Sequence, residues 1–150
     1  MKSLDVKYIK SIVQESLLID ESMTKHTTFG VGGKVSCYFM PKDMMELKKI
    51  IKYAYDKKIK TFFAGSGSNL LVSDNGYDGI IISLKKTFKN LEILDNGTIT
   101  SDSGVMLGSM VKKATKKGIK GMESLIGVPG TVGGALYMNA GAYNHEISNQ

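Results

Sequence analysis

The sequence predicts an α+β protein with mixed strands, and two observations lead to this class. Two segments, 43–58 and 107–114, place apolar residues at intervals of three and four, which is the period of an amphipathic helix. The other apolar residues fall in short runs that Gly, Asn, Asp and Pro separate, as is typical of strands and turns. We expect two small lobes, about 1–84 and about 85–150, with no linker or internal repeat.

The first elements follow from spacing and composition. Residues 5–18 have helix-like apolar spacing and predict a short amphipathic helix, whereas the polar, glycine-rich segment 25–34 predicts a loop. Residues 35–40 are β-branched and aromatic and predict a strand that ends at Pro41. The following helix, 43–58, has its acidic residues early and its lysines late, which matches the helix dipole.

Further strands are expected after this helix. Apolar runs at 61–63, 70–72 and 79–84 predict three short strands, and Asp74-Asn75-Gly76 predicts a turn before the last of them. Strand, helix and strand are thus followed by more strand, which again favours an α+β arrangement.

The second half of the chain begins with a predicted hairpin. Residues 91–94 and 98–101 flank Asp95-Asn96-Gly97, and Asn-Gly tolerates the positive φ angles that tight hairpin turns require. The helix predicted at 107–114 has a C-terminal cap in Gly118.

The composition excludes several classes of function. The net charge of +6 is the excess of 20 basic residues, all of them lysines, over 14 acidic residues. Because arginine makes the commonest specific contact with guanine, its absence disfavours a base-reading nucleic-acid binder, and the basic balance fits an acidic small molecule. No apolar run approaches the ~18 residues of a membrane span, and the N-terminus lacks the apolar region of a signal peptide. We therefore expect a cytoplasmic protein without membrane contacts.

Isolated reactive residues do not suggest a metal or redox site. The single cysteine, Cys37, cannot form an internal disulfide and is expected to be buried in a strand. His26 and His145 lie far apart, so we expect them to be solvated or held by structural hydrogen bonds. The lysine pairs of the helical segments are interpreted as solvated faces.

The first glycine-rich stretch suggests an anion site. Gly65-Ser66-Gly67-Ser68-Asn69-Leu70 follows an apolar strand, and its glycines leave backbone N–H groups free to turn toward a phosphate. The stretch is not a GxGxxG fingerprint, because Leu70 stands at the last glycine position and a strand is predicted to follow. A plain structural turn is the alternative.

Two further stretches are rich in small residues. Four glycines fall within the eight residues 127–134, although each glycine inside a regular element costs roughly 0.5–1 kcal/mol against alanine. Either a ligand approaches this backbone closely, or the stretch reflects close packing of a helix against a strand. Residues 138–143 again combine small residues with polar ones that can contact a ligand.

Taken together, these stretches resemble the UDP-N-acetylenolpyruvoylglucosamine reductases of bacterial peptidoglycan synthesis. The resemblance lies in HTTFGVGG (26–33), AGSGSNLLVSDNGYDGIII (64–82) and the segment 103–147. The ordered combination of GSGSNLL, G-x-PGTVGGA and MNAGAY is specific, whereas any one of them alone is not.

The resemblance implies an FAD-binding fold of the vanillyl-alcohol oxidase (PCMH) type, with FAD between the two α+β lobes. It implies NADPH as hydride donor and UDP-N-acetylglucosamine enolpyruvate as the substrate that is reduced to UDP-N-acetylmuramate. By the resemblance, the first loop holds the pyrophosphate, and the later stretches line the flavin and ribityl chain or close around the cofactor. The implied cofactor-binding residues are Gly65, Ser66, Gly67, Ser68, Asn69, Leu70, Ser103, Gly104, Gly127, Pro129, Gly130, Thr131, Gly133, Gly134, Asn139, Ala140 and Gly141.

The same resemblance assigns no catalytic residue within this chain. In the family, the arginine and glutamate that orient the substrate and the serine that donates a proton lie in segments beyond the position of Gln150. We therefore expect the C-terminal substrate-binding domain to be absent and the chain to be catalytically incomplete.

Three alternative functions remain open. An FAD oxidase of the same fold often tethers its flavin through a histidine near the first glycine loop, where this chain has Ser68-Asn69. A non-catalytic FAD- or nucleotide-binding module needs no catalytic residues. A lysine-rich nucleic-acid binder would lose affinity steeply with salt.

Overall fold

The computed structural model describes residues 5–13 and 17–149, and it divides the chain into two compact units, Met1–Thr87 and Phe88–Gln150. Within the described residues, no helix is both long enough and apolar enough to cross a bilayer. The same residues contain no group of three or more His, Cys, Asp or Glu side chains that could hold a metal ion.

Two helices of the first unit begin at aspartate caps. Helix α1 spans Val6–Ile12, and its N-cap Asp5 accepts a hydrogen bond from the backbone N–H of Tyr8. Helix α2 spans Met44–Lys57, and its N-cap is Asp43. The cap supplies an acceptor for one of the N–H groups that the first turn leaves unpaired. The helix predicted at 43–58 is confirmed.

A four-stranded mixed sheet forms the centre of the first unit. Its strands are β1 (Leu17–Ser22), β2 (Lys34–Phe39), β3 (Thr61–Ala64) and β4 (Tyr77–Ser83), in the spatial order β1-β2-β4-β3. Strand β1 runs antiparallel to β2, whereas β2, β4 and β3 are parallel. The connection through α2 therefore passes over β4, and the carboxyl ends of three strands meet at one edge of the sheet.

Alternation along the strands gives the sheet two buried faces. One face carries Tyr38 and Ile81, which pack in a cluster with Met23 and Ala64. The residues of the other face are buried as well; they are Cys37, Phe39, Ile80 and Ile82.

The prediction for the single cysteine is confirmed. Cys37 lies in β2 and is fully buried, and this burial raises the pKa of its thiol to about 12. The thiol is therefore protonated at neutral pH and has little nucleophilic character.

The second unit combines a hairpin with two helices. Strands β5 (Leu91–Ile93) and β6 (Ile99–Ser101) pair antiparallel as predicted, and Gly97 has a φ of 87° in the turn between them. Helix α3 spans Leu107–Lys116, which confirms the predicted helix. The remaining elements are the 3-10 helix Glu123–Gly127, α4 (Val132–Tyr137), β7 (Gly141–Ala142), β8 (His145–Glu146) and the 3-10 helix Ile147–Asn149.

The core of the second unit is built from α3, α4 and the segments that contact them. Its buried residues come from the approach to α3, from α3 itself, from the 3-10 helix and from α4. They are Val105, Leu107, Met110, Val111, Leu125, Val132 and Ala135.

Two predictions of secondary structure were wrong, one for a helix and one for a strand. The helix expected over 5–18 ends at Ile12, and Leu17 begins β1 instead, where it pairs with Phe39; residues 14–16 lie outside the described residues. The strand expected at 70–72 is absent from the described chain, because these residues form a loop in which Leu70 and Val72 pack against the sheet. A short run that buries alternate residues resembles a strand even where no partner strand is present.

The glycine-rich stretch 127–134 leads into helix α4. Gly133 and Gly134 lie in the first turn of this helix, and a helix is the element that the packing alternative requires. Thr131 caps this helix, since its hydroxyl accepts a hydrogen bond from the N–H of Gly134 at 3.3 Å.

Candidate functional site

The loop 65–69 lies at the carboxyl edge of the sheet. It begins directly after Ala64, which pairs with Ser83 near the end of β4. In sheets with parallel strands, this edge is where loops converge and ligands commonly bind. The topology thus places the predicted anion-binding loop at a position suited to a ligand.

Gly67 fixes the shape of this loop. It has a φ of 81°, and a Cβ added there would collide with the backbone carbonyl oxygen of His26. The N–H of Thr28 also donates to the Gly67 carbonyl at 3.0 Å. The glycine is therefore required by contact with the protein's own backbone, whatever binds on the other side.

Two N–H groups of the loop, those of Ser66 and Asn69, have no backbone acceptor among the described residues. The hydroxyl of Ser66 lies 3.3 Å from that of Ser68. Unpaired N–H groups in a glycine turn bind anions well because they carry partial positive charge. The loop therefore fits a phosphate or pyrophosphate group.

Residues 26–28 form the backing of the loop, and the side chain of His26 is held on two sides. Its Nε2 lies 2.9 Å from Oε1 of Glu21, and its ring stacks on Tyr38 with 3.9 Å between ring centroids. The hydrogen bond with His26 lowers the pKa of the Glu21 carboxyl. Of the two alternatives predicted for His26, solvation or a structural hydrogen bond, the structure shows the hydrogen bond.

The last residue of the predicted loop has a packing role. Leu70 contacts the cluster around Tyr38 and Ile81 from one side of the sheet. Its partly buried side chain therefore anchors the end of the loop to the sheet.

In the second unit, the segment 130–133 runs beside residues 103–107. The N–H of Val132 donates to the carbonyl of Val105 at 2.8 Å, and the N–H of Leu107 donates to that of Gly130 at 3.0 Å. The N–H of Gly133 donates to the carbonyl of Ser103 at 3.0 Å. The structure therefore brings the two predicted regions together through main-chain bonds.

Gly133 is the closest point between these two regions. A Cβ at Gly133 would lie 2.7 Å from the Cβ of Ser103, which is shorter than real Cβ contacts. The close approach predicted for this stretch is thus made by the chain itself at Gly133. Gly127 differs, because a Cβ there would meet no atom within 4 Å and the residue is exposed.

The third predicted stretch forms a small hairpin. Asn139 has a φ of 46°, its amide donates to Glu146 at 2.6 Å, and its side-chain oxygen accepts from the N–H of Ser148 at 3.1 Å. A Cβ at Gly141 would collide with the carbonyl oxygen of His145. The side-chain amide of Asn139 thus bonds to the hairpin at Glu146, and its side-chain oxygen bonds to the following 3-10 helix at Ser148.

The remaining predicted cofactor-binding residues differ in how far they are buried. Gly104, Gly130 and Thr131 are buried, Ala140 packs at the edge of the core, and Pro129 is exposed.

Sequence reasoning missed the part that Glu21 plays beside the first loop. Glu21 lies in β1 and reaches His26 only because the chain turns back through the 3-10 helix Met23–Lys25. A Glu and a His five residues apart are an ordinary pattern, so no sequence signal pointed to this pair.

The comparisons with known proteins agree with this geometry. A family profile described as "FAD binding domain" matches residues 35–150. A UDP-N-acetylenolpyruvoylglucosamine reductase from Caldicellulosiruptor bescii is 43% identical over 134 residues, which cover 88% of this chain and 41% of that protein. The chain thus spans less than half the length of this relative.

Solved structures show the same fold. The crystal structure of a UDP-N-acetylenolpyruvylglucosamine reductase from Thermus caldophilus matches with a TM-score of 0.64 and 29% identity, covering 87% of this chain and 44% of that one. A p-cresol methylhydroxylase matches with a TM-score of 0.52 and 16% identity, covering 76% of this chain and 24% of that one, which bears on the fold alone. The predicted α+β FAD-binding fold is confirmed, and the chain belongs to the FAD binding domain family.

Proposed function

We propose that this chain binds FAD and forms the FAD-binding part of an NADPH-dependent reductase that converts UDP-N-acetylglucosamine enolpyruvate to UDP-N-acetylmuramate. The observation that carries the proposal is the match to reductases of this name at 43% identity over 88% of the chain. The cytoplasmic location expected from the sequence is part of the proposal.

The loop 65–69 supplies the contact with the pyrophosphate in this proposal. The N–H groups of Ser66 and Asn69 donate to no backbone carbonyl among the described residues, and Gly67 is held against the segment 26–28. Donors that are already in place cost little conformational entropy when an anion binds, so a fixed loop increases affinity. The +6 net charge further favours an anionic ligand.

The second unit supplies the flavin contacts in this proposal. Gly127 is exposed and has open space where a side chain would stand, so a planar ring can approach its backbone. The other predicted residues of this unit, from Ser103 to Gly141, line the flavin and ribityl chain or close around the cofactor in this proposal, and main-chain bonds hold Gly130 and Gly133 against residues 103–107. When bound, FAD would supply the redox chemistry that carries hydride from NADPH to the substrate double bond.

Flavin titration tests the first part of the proposal. We expect the purified chain to bind FAD more tightly than FMN, since only FAD has the pyrophosphate that the loop would contact. Flavin fluorescence and absorbance, recorded during titration of the chain into each flavin, measure both affinities. Equal affinities would contradict the pyrophosphate assignment, and no binding of either flavin would contradict the proposal itself.

A chimera tests the reductase part. The matching region of the Caldicellulosiruptor bescii reductase is replaced by this chain, and NADPH consumption is followed with UDP-N-acetylglucosamine enolpyruvate present and absent. We expect substrate-dependent consumption of NADPH and formation of UDP-N-acetylmuramate. A chimera that folds and binds FAD but shows no such reaction would favour the alternative, a non-catalytic FAD-binding module.

A further inference from the structure

The pair formed by Glu21 and His26 lies directly behind the loop that the proposed function assigns to the pyrophosphate. Neither residue is among those that the sequence singled out for cofactor binding. The side chains are 12% exposed at His26 and 15% exposed at Glu21, so the pair is largely shielded from water. Shielding strengthens a charge-assisted hydrogen bond compared with one at the surface.

The ring of His26 has little freedom to move. Glu21 bonds one edge of it at 2.9 Å, and the face stacks on Tyr38 at an interplanar angle of 20°. Tyr38 is itself 1% exposed and belongs to the sheet core. The ring is thus tied to two neighbouring strands, β1 and β2.

The backbone of the same residue touches the loop. The carbonyl of His26 stands where a side chain of residue 67 would be, and the N–H of Thr28 donates to the carbonyl of Gly67. The N–H of His26 donates to Met23 at 2.9 Å, and the hydroxyl of Thr27 donates to the carbonyl of Val31 at 2.9 Å. A fixed ring therefore fixes the segment 26–28, and this segment fixes the central glycine of the loop.

We infer that Glu21 and His26 are positioning residues, which hold loop 65–69 in the conformation that binds the pyrophosphate of FAD. The inference rests on the proposed function for the identity of the ligand. It adds that selectivity for a dinucleotide over a mononucleotide depends on a side-chain pair that need not touch the ligand.

The charged neighbours of the pair provide a control. Lys25 also approaches Oε1 of Glu21, at 3.5 Å, but its side chain is 68% exposed. An exposed ion pair contributes little, so removal of this lysine leaves the pair of Glu21 and His26 in place. Tyr38, which stacks on the ring, is also titratable, and burial raises the pKa of its hydroxyl, which therefore stays neutral.

The test compares flavin affinities in the full chain. Glu21→Gln and His26→Ala are expected to weaken FAD binding about tenfold, which corresponds to the loss of one well-placed interaction of about 1.4 kcal/mol. FMN affinity should change less than twofold, since FMN lacks the pyrophosphate. His26→Gln keeps a donor for Glu21 and should recover part of the loss, whereas Lys25→Ala should bind as the wild type does. Unchanged FAD affinity in the first two variants, or an equal loss for FMN, would overturn the inference.

A second measurement decides the inference even if the chain binds no flavin. Hydrogen exchange of the Thr28 amide reports the bond from residue 28 to Gly67, and the Gly33 amide, which donates to Ser73 at 3.0 Å, serves as reference. Glu21→Gln and His26→Ala should accelerate exchange at Thr28 at least tenfold relative to Gly33. Equal effects on both amides would mean that the pair only stabilises the unit as a whole, and the inference would fail. Failure of the proposed function, in contrast, appears as absence of flavin binding in the wild type.

Discussion

The two glycine-rich regions of this chain use their backbone in opposite ways. In the loop 65–69, the N–H groups of Ser66 and Asn69 have no backbone acceptor among the described residues. In the segment 130–133, the corresponding groups of Val132 and Gly133 already donate to Val105 and Ser103. Similar compositions thus produce one region with two N–H groups that lack a described backbone acceptor and one region whose N–H groups bond to the protein's own backbone.

The difference shows that glycine content alone does not identify a ligand site. A glycine that permits close approach serves equally well when the approaching group is the protein's own backbone. Gly67 and Gly133 both belong to this category, since His26 and Ser103 occupy the space where their side chains would stand. Gly127, by contrast, has open space where a side chain would stand, and none of the described contacts requires a glycine there. Substitution of Gly67 or Gly133 should therefore lower the stability of the protein. Substitution of Gly127 should instead weaken ligand binding without lowering stability.

The largest expected effect is that of Gly67→Val. The positive φ costs about 1–3 kcal/mol for a residue with a side chain, and the collision with His26 adds to that cost. We expect a loss of about 3 kcal/mol or more in the free energy of unfolding. Urea denaturation followed by far-UV circular dichroism measures the loss.

Lys116→Ala is the matched control, because Lys116 is exposed in the last turn of α3. Its effect should remain within about 0.5 kcal/mol. A Gly67→Val variant as stable as this control would contradict the contact between residues 26 and 67.

A smaller loss is expected for Gly133→Ala. Alanine is favoured over glycine in a helix by about 1 kcal/mol, but the new methyl group would lie too close to Ser103, and overpacking costs about 1–3 kcal/mol. We expect a net destabilisation of about 1 kcal/mol. In a Ser103→Gly background the collision with the Cβ is removed, so the same change should become less costly. A double-mutant cycle on unfolding free energies checks this, and additive effects would show that the two residues do not interact.

The Glu21 carboxyl should make stability depend on pH. Its pKa is lowered below the ordinary value of 4.5, chiefly by the hydrogen bond with His26. A carboxyl with a lowered folded-state pKa stabilises the protein above its unfolded-state pKa, and this stabilisation is lost as the pH falls through the folded-state value. The wild type should therefore be more stable than Glu21→Gln at about pH 6, and this difference in stability should disappear as the pH drops below about 4. Thermal unfolding of both proteins across this range measures the difference, and a constant difference would contradict the assignment.

Local patterns predicted the elements whose residues interact mainly with sequence neighbours. The helix α2 and the hairpin β5–β6 are examples, because apolar period, capping and turn residues all lie within the segment. Strand β1 was missed because Leu17 continues the helical spacing and becomes a strand only by pairing with Phe39, which is distant in sequence. The spatial order β1-β2-β4-β3 is likewise set by long-range pairing.

The candidate site was predictable to a similar degree. The loop 65–69 was located from its glycines and the preceding strand, and it does lie at a strand end. The pair of Glu21 and His26 could not be predicted, because it depends on how the chain turns after β1. The engagement of Asn139 with Glu146 was also hidden, since it requires the turn at positive φ that forms the last hairpin.

The smallest effect on stability, and the most informative one for function, is expected for Gly127→Ala. A Cβ at this position meets no atom within 4 Å, and replacing glycine where the backbone tolerates alanine stabilises proteins by about 0.4–1 kcal/mol. The free energy of unfolding should therefore stay constant or rise slightly. If the flavin ring approaches this backbone, the added methyl group must weaken binding, and it must weaken FAD and FMN alike because both contain the ring. Variants of Glu21 and His26 should instead weaken FAD alone, so titrating each variant with both flavins separates the two regions. A Gly127→Ala protein that binds both flavins as tightly as the wild type would remove Gly127 from the proposed flavin contacts and leave the second unit without an identified point of approach.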